Sequence, residues 1–265
     1  MPQALVNGIM LNYTEAGRGE AVLFMHAYGW SHAFWLPQVR RYAAEFRAVA
    51  VDCRGHGDSD KPRAPYSIDG FADDHLALCD ALGIERAHLV GTSMGGCLAM
   101  IMALKRPQFA RSLVLIGTWA SADPMFHKYH HETIAMLDDP ANMEAYARRR
   151  IPIIFSPGFL ERNPQVVDSE VARGMAADRK ALQLTSEAFL HYDIVDQISA
   201  IKAPTMVLVG SEDRLDPPHL SLEIYERIPG SEYVEILGSG HLPSMEQPEE
   251  FDRIVLTWLR RHAGA

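Results

Sequence analysis

Apolar residues fall into short unbroken runs that alternate with stretches of helical period. Ala21–Met25, Ala48–Asp52, Ala87–Val90, Ser112–Ile116 and Thr205–Val209 are such runs. Each is too short for a buried helix, so each predicts a strand covered on both sides. Ahead of them, Gln3–Val6 and Ile9–Glu15 read as two strands joined by Asn7-Gly8, a hairpin-turn dipeptide. Tyr233–Ile236 adds a last strand. Helical patterns lie between them: Phe34–Glu45, a helix opened by Asp69 and running to Leu82, Met94–Lys105, Pro217–Arg227 and Glu249–Arg260. Pro107 marks the end of the third, because proline disfavours helix in the residue before it. Strand and helix in alternation predict an α/β class: a mostly parallel twisted sheet with helices on both faces.

The alternation breaks from about Trp119 to Ala200, where helical stretches punctuated by Pro140, Pro152, Pro157 and Pro164 replace the buried strands. Residues 1–118 and 201–265 are therefore expected to form one discontinuous core, and residues 119–200 a helical insertion. Arg148–Arg150 is a basic run expected to lie on a solvated helix face.

Candidate chemistry sits where predicted strands end. Gly91-Thr92-Ser93-Met94-Gly95-Gly96 matches G-x-S-x-G and falls between a strand and a helix, the context that gives this motif meaning. A sharp turn holds the serine above the sheet, and small neighbours two positions away keep the backbones from colliding. The following helix aims free N–H groups at the same spot, which makes the Met94 N–H an oxyanion donor. A serine hydroxyl needs a base, and histidine titrates near the working pH. Of the twelve histidines, His241 lies in Gly238-Ser239-Gly240-His241-Leu242-Pro243, directly after the last strand. The acid that orients it is expected to be Asp213, after the strand Thr205–Val209. Glu212, Asp216 and Asp123 are rivals, with Asp216 better suited to start the helix after Pro217. The order Ser93, Asp213, His241 fits this reading.

A second oxyanion donor is expected from His26-Ala27-Tyr28-Gly29-Trp30, with the Tyr28 N–H the best candidate and His26 pinning the loop. Trp30 and Trp119 follow strand ends that face the site. With Phe126, Phe155 and Phe159 of the insertion they are the candidate substrate-binding residues. His127, His130, His131 and Glu132 cluster without a further ligand set, and no metal or cofactor is expected.

Together, His26–Gly29, Asp52-Cys53-Arg54-Gly55-His56-Gly57-Asp58-Ser59, the Ser93 turn, Gly210–Pro217 and Gly240–Pro248 give the chain its resemblance to the α/β-hydrolase superfamily. It is most similar to capped bacterial esterases and 3-oxoadipate enol-lactonases, with Phe155-Ser156-Pro157-Gly158-Phe159-Leu160 resembling their cap. The resemblance implies an α/β-hydrolase fold with an inserted helical cap, and a serine hydrolase that opens carboxylic esters or lactones through an acyl-enzyme. Alternatives are a meta-cleavage C–C bond hydrolase, a cofactor-free perhydrolase and a ligand-binding receptor on the same fold. Two departures stand out. Ala27 replaces the family's usual glycine, which would carry a steric cost if that backbone needs a positive φ. Leu242 stands where C–C hydrolases usually carry tryptophan. Dehalogenases and epoxide hydrolases carry aspartate in place of Ser93.

Composition narrows the partners. With 265 residues, 48% of them hydrophobic, the chain can bury one large core, and a net charge of −9 argues against nucleic acid. No apolar run is long enough to span a membrane, and the N-terminus does not read as a signal peptide. Cys53, Cys79 and Cys97 have no metal-type spacing and read as reduced core thiols, which fits a cytoplasmic protein. The expected partner is a small apolar or aromatic ester or lactone, with a homo-oligomer left open.

Overall fold

The computed structural model describes residues 2–121 and 123–264. In chain order the elements are β1 (Gln3–Val6), β2 (Ile9–Ala16), β3 (Ala21–Met25), α1 (Leu36–Tyr42), β4 (Arg47–Val51), α2 (Ile68–Ala81), β5 (Ala87–Thr92), α3 (Met94–Lys105) and β6 (Ala110–Ile116). Then come α4 (Pro124–Met136), α5 (Met143–Ile154), α6 (Pro157–Arg162), α7 (Gln165–Ala176) and α8 (Arg179–Phe189). The chain closes with β7 (Thr205–Gly210), α9 (Pro218–Arg227), β8 (Glu232–Ile236), α10 (Pro243–Glu246) and α11 (Pro248–Arg261).

The strands form one eight-stranded sheet in the order β1-β2-β4-β3-β5-β6-β7-β8. β1 and β2 pair antiparallel, as does β2 with β4, and every later pair is parallel. This is the α/β-hydrolase fold. Successive residues of the central strands face opposite sides, as the pleat requires. Leu23, Met25, Val49 and Leu89 pack toward α2 and α3, while Val22, Phe24, Ala50 and Val90 pack toward α1 and α11. Both sides are therefore core, which is why these strands are apolar runs and not alternating ones. All three cysteines are buried, unpaired thiols.

Two helix starts differ from the sequence expectation. α2 begins at Ile68, because the extended Ser67 lends its side chain to the Gly70 N–H at 3.0 Å; Asp69 lies inside the first turn. The stretch expected to start at Phe34 opens with a 3₁₀ turn over His32–Trp35, whose N-terminal side chain is Ser31.

Between β6 and β7, α4 packs on α8 and α5 on α7. Pro152 lies inside α5, whereas Pro157 sits in the first turn of α6, where its missing N–H costs nothing. Of the basic run, Arg148 pairs with Glu144 and Arg149 with Glu132 on the surface. Arg150 turns inward and is buried, contrary to the solvated face expected of it. It lies on the same side of α5 as Tyr146 and Ile154, four residues away in either direction.

Candidate active site

β5 runs straight into Ser93, which takes φ 55° and ψ −119° before α3 begins at Met94. For a non-glycine residue this backbone is strained by about 1–3 kcal/mol and persists only where the surroundings fix it. Here the Ser93 N–H donates to the Ile116 carbonyl at 2.8 Å. The Ser93 carbonyl accepts from Thr118 Oγ1, also at 2.8 Å. The flanking glycines are required sterically: a Cβ on Gly91 would stand 2.1 Å from the Gly95 carbonyl oxygen, and one on Gly95 would stand 2.2 Å from that of Met25.

His241 and Asp213 meet from the loops after β8 and β7. His241 Nδ1 donates to Asp213 Oδ2 at 2.8 Å. The other carboxylate oxygen accepts the Leu215 and Asp216 N–H groups at 3.0 and 2.9 Å, which fixes the plane of the acid. Gly117 lies beneath the pair, where a Cβ would come within 2.9 Å of Asp213 Oδ2. Burial pulls the His241 pKa down, but the charge and hydrogen bond of Asp213 outweigh it, joined by the charge of Asp216 whenever that acid is ionised, so the imidazole titrates above its ordinary value. Of the rival acids, Glu212 is exposed and Asp123 serves as the N-cap of α4, accepting from the Phe126 N–H at 2.7 Å.

The His241 loop is also tied to the helices between β6 and β7. The His241 N–H donates to the Ile154 carbonyl at 2.7 Å. Glu246 accepts from the Gly240 N–H at 3.1 Å and from Ser156 Oγ at 2.5 Å, joining the α5–α6 junction to the histidine loop.

The loop after β3 is held from below. His26 Nε2 accepts the Cys53 N–H at 3.0 Å, and its Nδ1 bonds the Ala27 carbonyl at 2.8 Å. Burial drives its pKa down to about 3, so it stays neutral and structural. Ala27 does not take a positive φ; Gly29 does, at 74°. The alanine therefore fits its backbone, and the expected steric cost does not arise. The Tyr28 carbonyl accepts from Arg150 Nη2 at 3.1 Å, and its phenol donates to the Leu182 carbonyl at 3.1 Å. Met94 is the first residue of α3, where N–H groups have no intrahelical acceptor.

Ser93 and His241 open onto one pocket, whose walls include Tyr28, Trp30, Trp119, Phe126 and Phe189. It is tight: the space left between its side chains has room for about one water molecule. Phe155 and Phe159 do not line it. They stack on each other at 5.4 Å within the core on the α1 and α11 side, because α6 turns that face inward. Three polar groups unforeseen as wall residues do line it: His130, Arg150 and Asp216. His130 bonds Ser186 Oγ through Nδ1 at 3.2 Å and packs 4.4 Å from Phe126. The Arg150 guanidinium lies 4.9 Å over the Tyr28 ring and donates to Tyr146 Oη at 2.7 Å. Asp216 does not cap α9, whose N-cap is Pro217 without a side-chain bond. It turns instead toward Ser93, whose Oγ donates to Asp216 Oδ2 at 3.2 Å.

A family model described as the alpha/beta hydrolase family matches residues 22–254. The chain belongs to this family. Among sequence relatives, this α/β-hydrolase is 30% identical over 260 residues to "Putative carbamate hydrolase RutD" of Azorhizobium caulinodans, a match covering 97% of each chain. Among solved structures, it is similar to the enol-lactonase from Burkholderia xenovorans LB400, with a TM-score of 0.92 and 28% identity over 98% of this chain and 100% of that one. A thermophilic esterase from Thermogutta terrifontis is comparably similar, with a TM-score of 0.90 and 28% identity over 98% of this chain and 97% of the other.

Proposed function

We propose that this α/β-hydrolase cleaves a carboxylic ester or lactone through an acyl-enzyme on Ser93. The observation that carries the reading is a serine on a strained strand-to-helix turn that shares a buried pocket with a histidine already oriented by a carboxylate at 2.8 Å. Ser93 Oγ attacks the acyl carbon while His241 Nε2 takes its proton. Asp213 holds the imidazole in the tautomer that presents Nε2 and stabilises its cation. The Met94 and Tyr28 N–H groups receive the oxyanion, each donor being worth about 10²–10³ in kcat. The leaving oxygen takes the proton from His241, and water activated by the same imidazole releases the acid. The helices α4 to α8 act as a cap, and Trp30, Trp119 and Phe126 enclose a small acyl group.

A carbamate is the second reading. It is favoured by the name of the RutD relative and by the same need for a serine, a base and an oxyanion site.

The test is hydrolysis of p-nitrophenyl acetate and butyrate by wild type and Ser93→Ala, with a lactone and an aryl carbamate in parallel. Wild-type turnover that drops about 10⁴-fold or more in the variant supports the serine mechanism. The substrate ratios then rank ester, lactone and carbamate. Equal rates in the two proteins would remove Ser93 from the chemistry.

A further inference from the structure

One carboxyl of the site has no task in this mechanism. Asp216 is fully buried and its Oδ2 lies 3.2 Å from Ser93 Oγ and 4.0 Å from His241 Nε2. Among the described residues, neither Asp216 Oδ1 nor His241 Nε2 has a hydrogen-bond partner. A buried carboxylate normally answers to a cation, a helix end or a set of N–H groups. Asp216 caps no helix, and its nearest basic neighbour is the catalytic imidazole itself.

The serine hydroxyl has one proton to give. If Asp216 is ionised, its oxygen is the stronger acceptor and keeps that proton, so Nε2 receives none. A negative charge beside Oγ would also oppose the oxyanion. If Asp216 is protonated, its O–H can donate to a lone pair of Ser93 Oγ, and the serine O–H is free to turn to His241.

We propose that Asp216 serves the reaction as a neutral acid, its carboxyl O–H donating to Ser93 Oγ and turning the serine's own proton toward His241 Nε2. This rests on the acyl-enzyme reading above. Asp216 keeps its proton throughout: the serine proton passes to Nε2 as the Oγ–C bond forms, then to the leaving oxygen as the bond between that oxygen and the acyl carbon breaks.

The surroundings favour the neutral form. Burial pushes the Asp216 pKa up, the imidazole and the Ser93 hydrogen bond pull it back, and the charges of Asp213 and Asp123 raise it again, to about 7. The groups packed around it from α3 and α4 are uncharged. Burial lifts the Cys97 thiol to about 12 and lowers His130 to about 3, and burial also raises the Tyr129 phenol above its ordinary value. Arg150 of α5 is the permanent cation in the pocket wall.

The experiment is kcat/KM for a neutral ester from pH 5 to 9.5 in wild type, Asp216→Asn, Asp216→Ala and Ser93→Ala, with circular dichroism and Tm to confirm folding. Wild-type activity should fall at low pH as His241 gains a proton, and at high pH by about tenfold per unit as Asp216 loses one. D216N keeps an N–H donor and cannot ionise. Its alkaline fall should vanish, and the ratio of D216N to wild type should rise about tenfold or more between pH 7 and 9. D216A should also lose the fall, with a lower kcat plateau and little change in KM. A wild-type profile flat to pH 9, or the same fall in D216N, overturns the proposal. If neither variant folds, the pH profile of Ser93 sulfonylation by phenylmethanesulfonyl fluoride in wild type decides: an alkaline fall supports it and a flat profile overturns it. Turnover retained by S93A would instead sink the acyl-enzyme reading itself, whatever Asp216 does.

Discussion

Gly95→Ala should separate α3 from β3 and misplace Ser93 with it. The new Cβ would stand 2.2 Å from the Met25 carbonyl oxygen and 2.7 Å from its carbon, where ordinary contact begins at 3.4 Å. The obstacle is backbone in a central strand, so no side chain can swing aside. Strand and helix must move apart by about 1.2 Å, the gap between 2.2 and 3.4 Å. Overpacking of this kind costs about 1–3 kcal/mol, which for a chain of this size lowers Tm by roughly 2–10 °C. A displacement of about 1 Å at the reacting groups costs on the order of 10² in rate. Thermal melting and ester turnover would be measured together, with Gly230→Ala as the control. Gly230, unlike Gly95, has a positive φ, 74°, and open space around its Cβ. It should lose about 1 kcal/mol to backbone strain and no activity. A G95A enzyme with wild-type Tm and kcat would refute the claim that this approach sets the position of Ser93.

Two further outcomes follow from buried carboxylates. Asp213→Asn preserves shape but presents the wrong partner to His241 Nδ1, so kcat should fall about 10³–10⁴-fold with KM and Tm nearly kept; wild-type kcat would show that Asp213 does not orient the base. Asp52 directly follows β4, where burial raises its pKa but the His32 side-chain hydrogen bond and the His32 and Asp58 N–H groups bring it down to about 2. Its folded value lies below the unfolded one, so its stabilisation, about 2 kcal/mol, is full above about pH 4 and lost as pH falls from there toward 2. Urea midpoints against pH should show a shallower acid slope in Asp52→Asn, and coincident slopes would contradict it.

The sheet was legible because burial on both faces leaves unbroken apolar runs, and Asn7-Gly8 marks its first hairpin. The Ser93 turn was legible from its spacing together with its place between a strand and a helix, since G-x-S-x-G there encodes the close approaches seen at Gly91 and Gly95. His241 and Asp213 followed from their places after β8 and β7. The pocket walls were only partly readable. Nothing local separates Trp119, which lines the site, from Phe155, which packs on Phe159: that depends on how α6 turns against the core. Arg150 was hidden in a basic run, although the spacing of Tyr146, Arg150 and Ile154 carries the signal of an inward stripe. Asp216 read as a helix start because Asp-Pro is a common one. The Asp213 loop instead sends that side chain to the serine.

The bond between Glu246 and Ser156 makes the α5–α6 junction and the His241 loop one mechanical unit. His241 is anchored through Ile154 and Ser156 to the segment that covers it. Lifting the α5–α6 corner therefore breaks the bonds that hold the His241 loop. For anyone exchanging this helical segment between relatives, the unit of inheritance is the segment together with position 246. A graft that brings a new corner without a matching acid would supply a lid and unseat the imidazole beneath it.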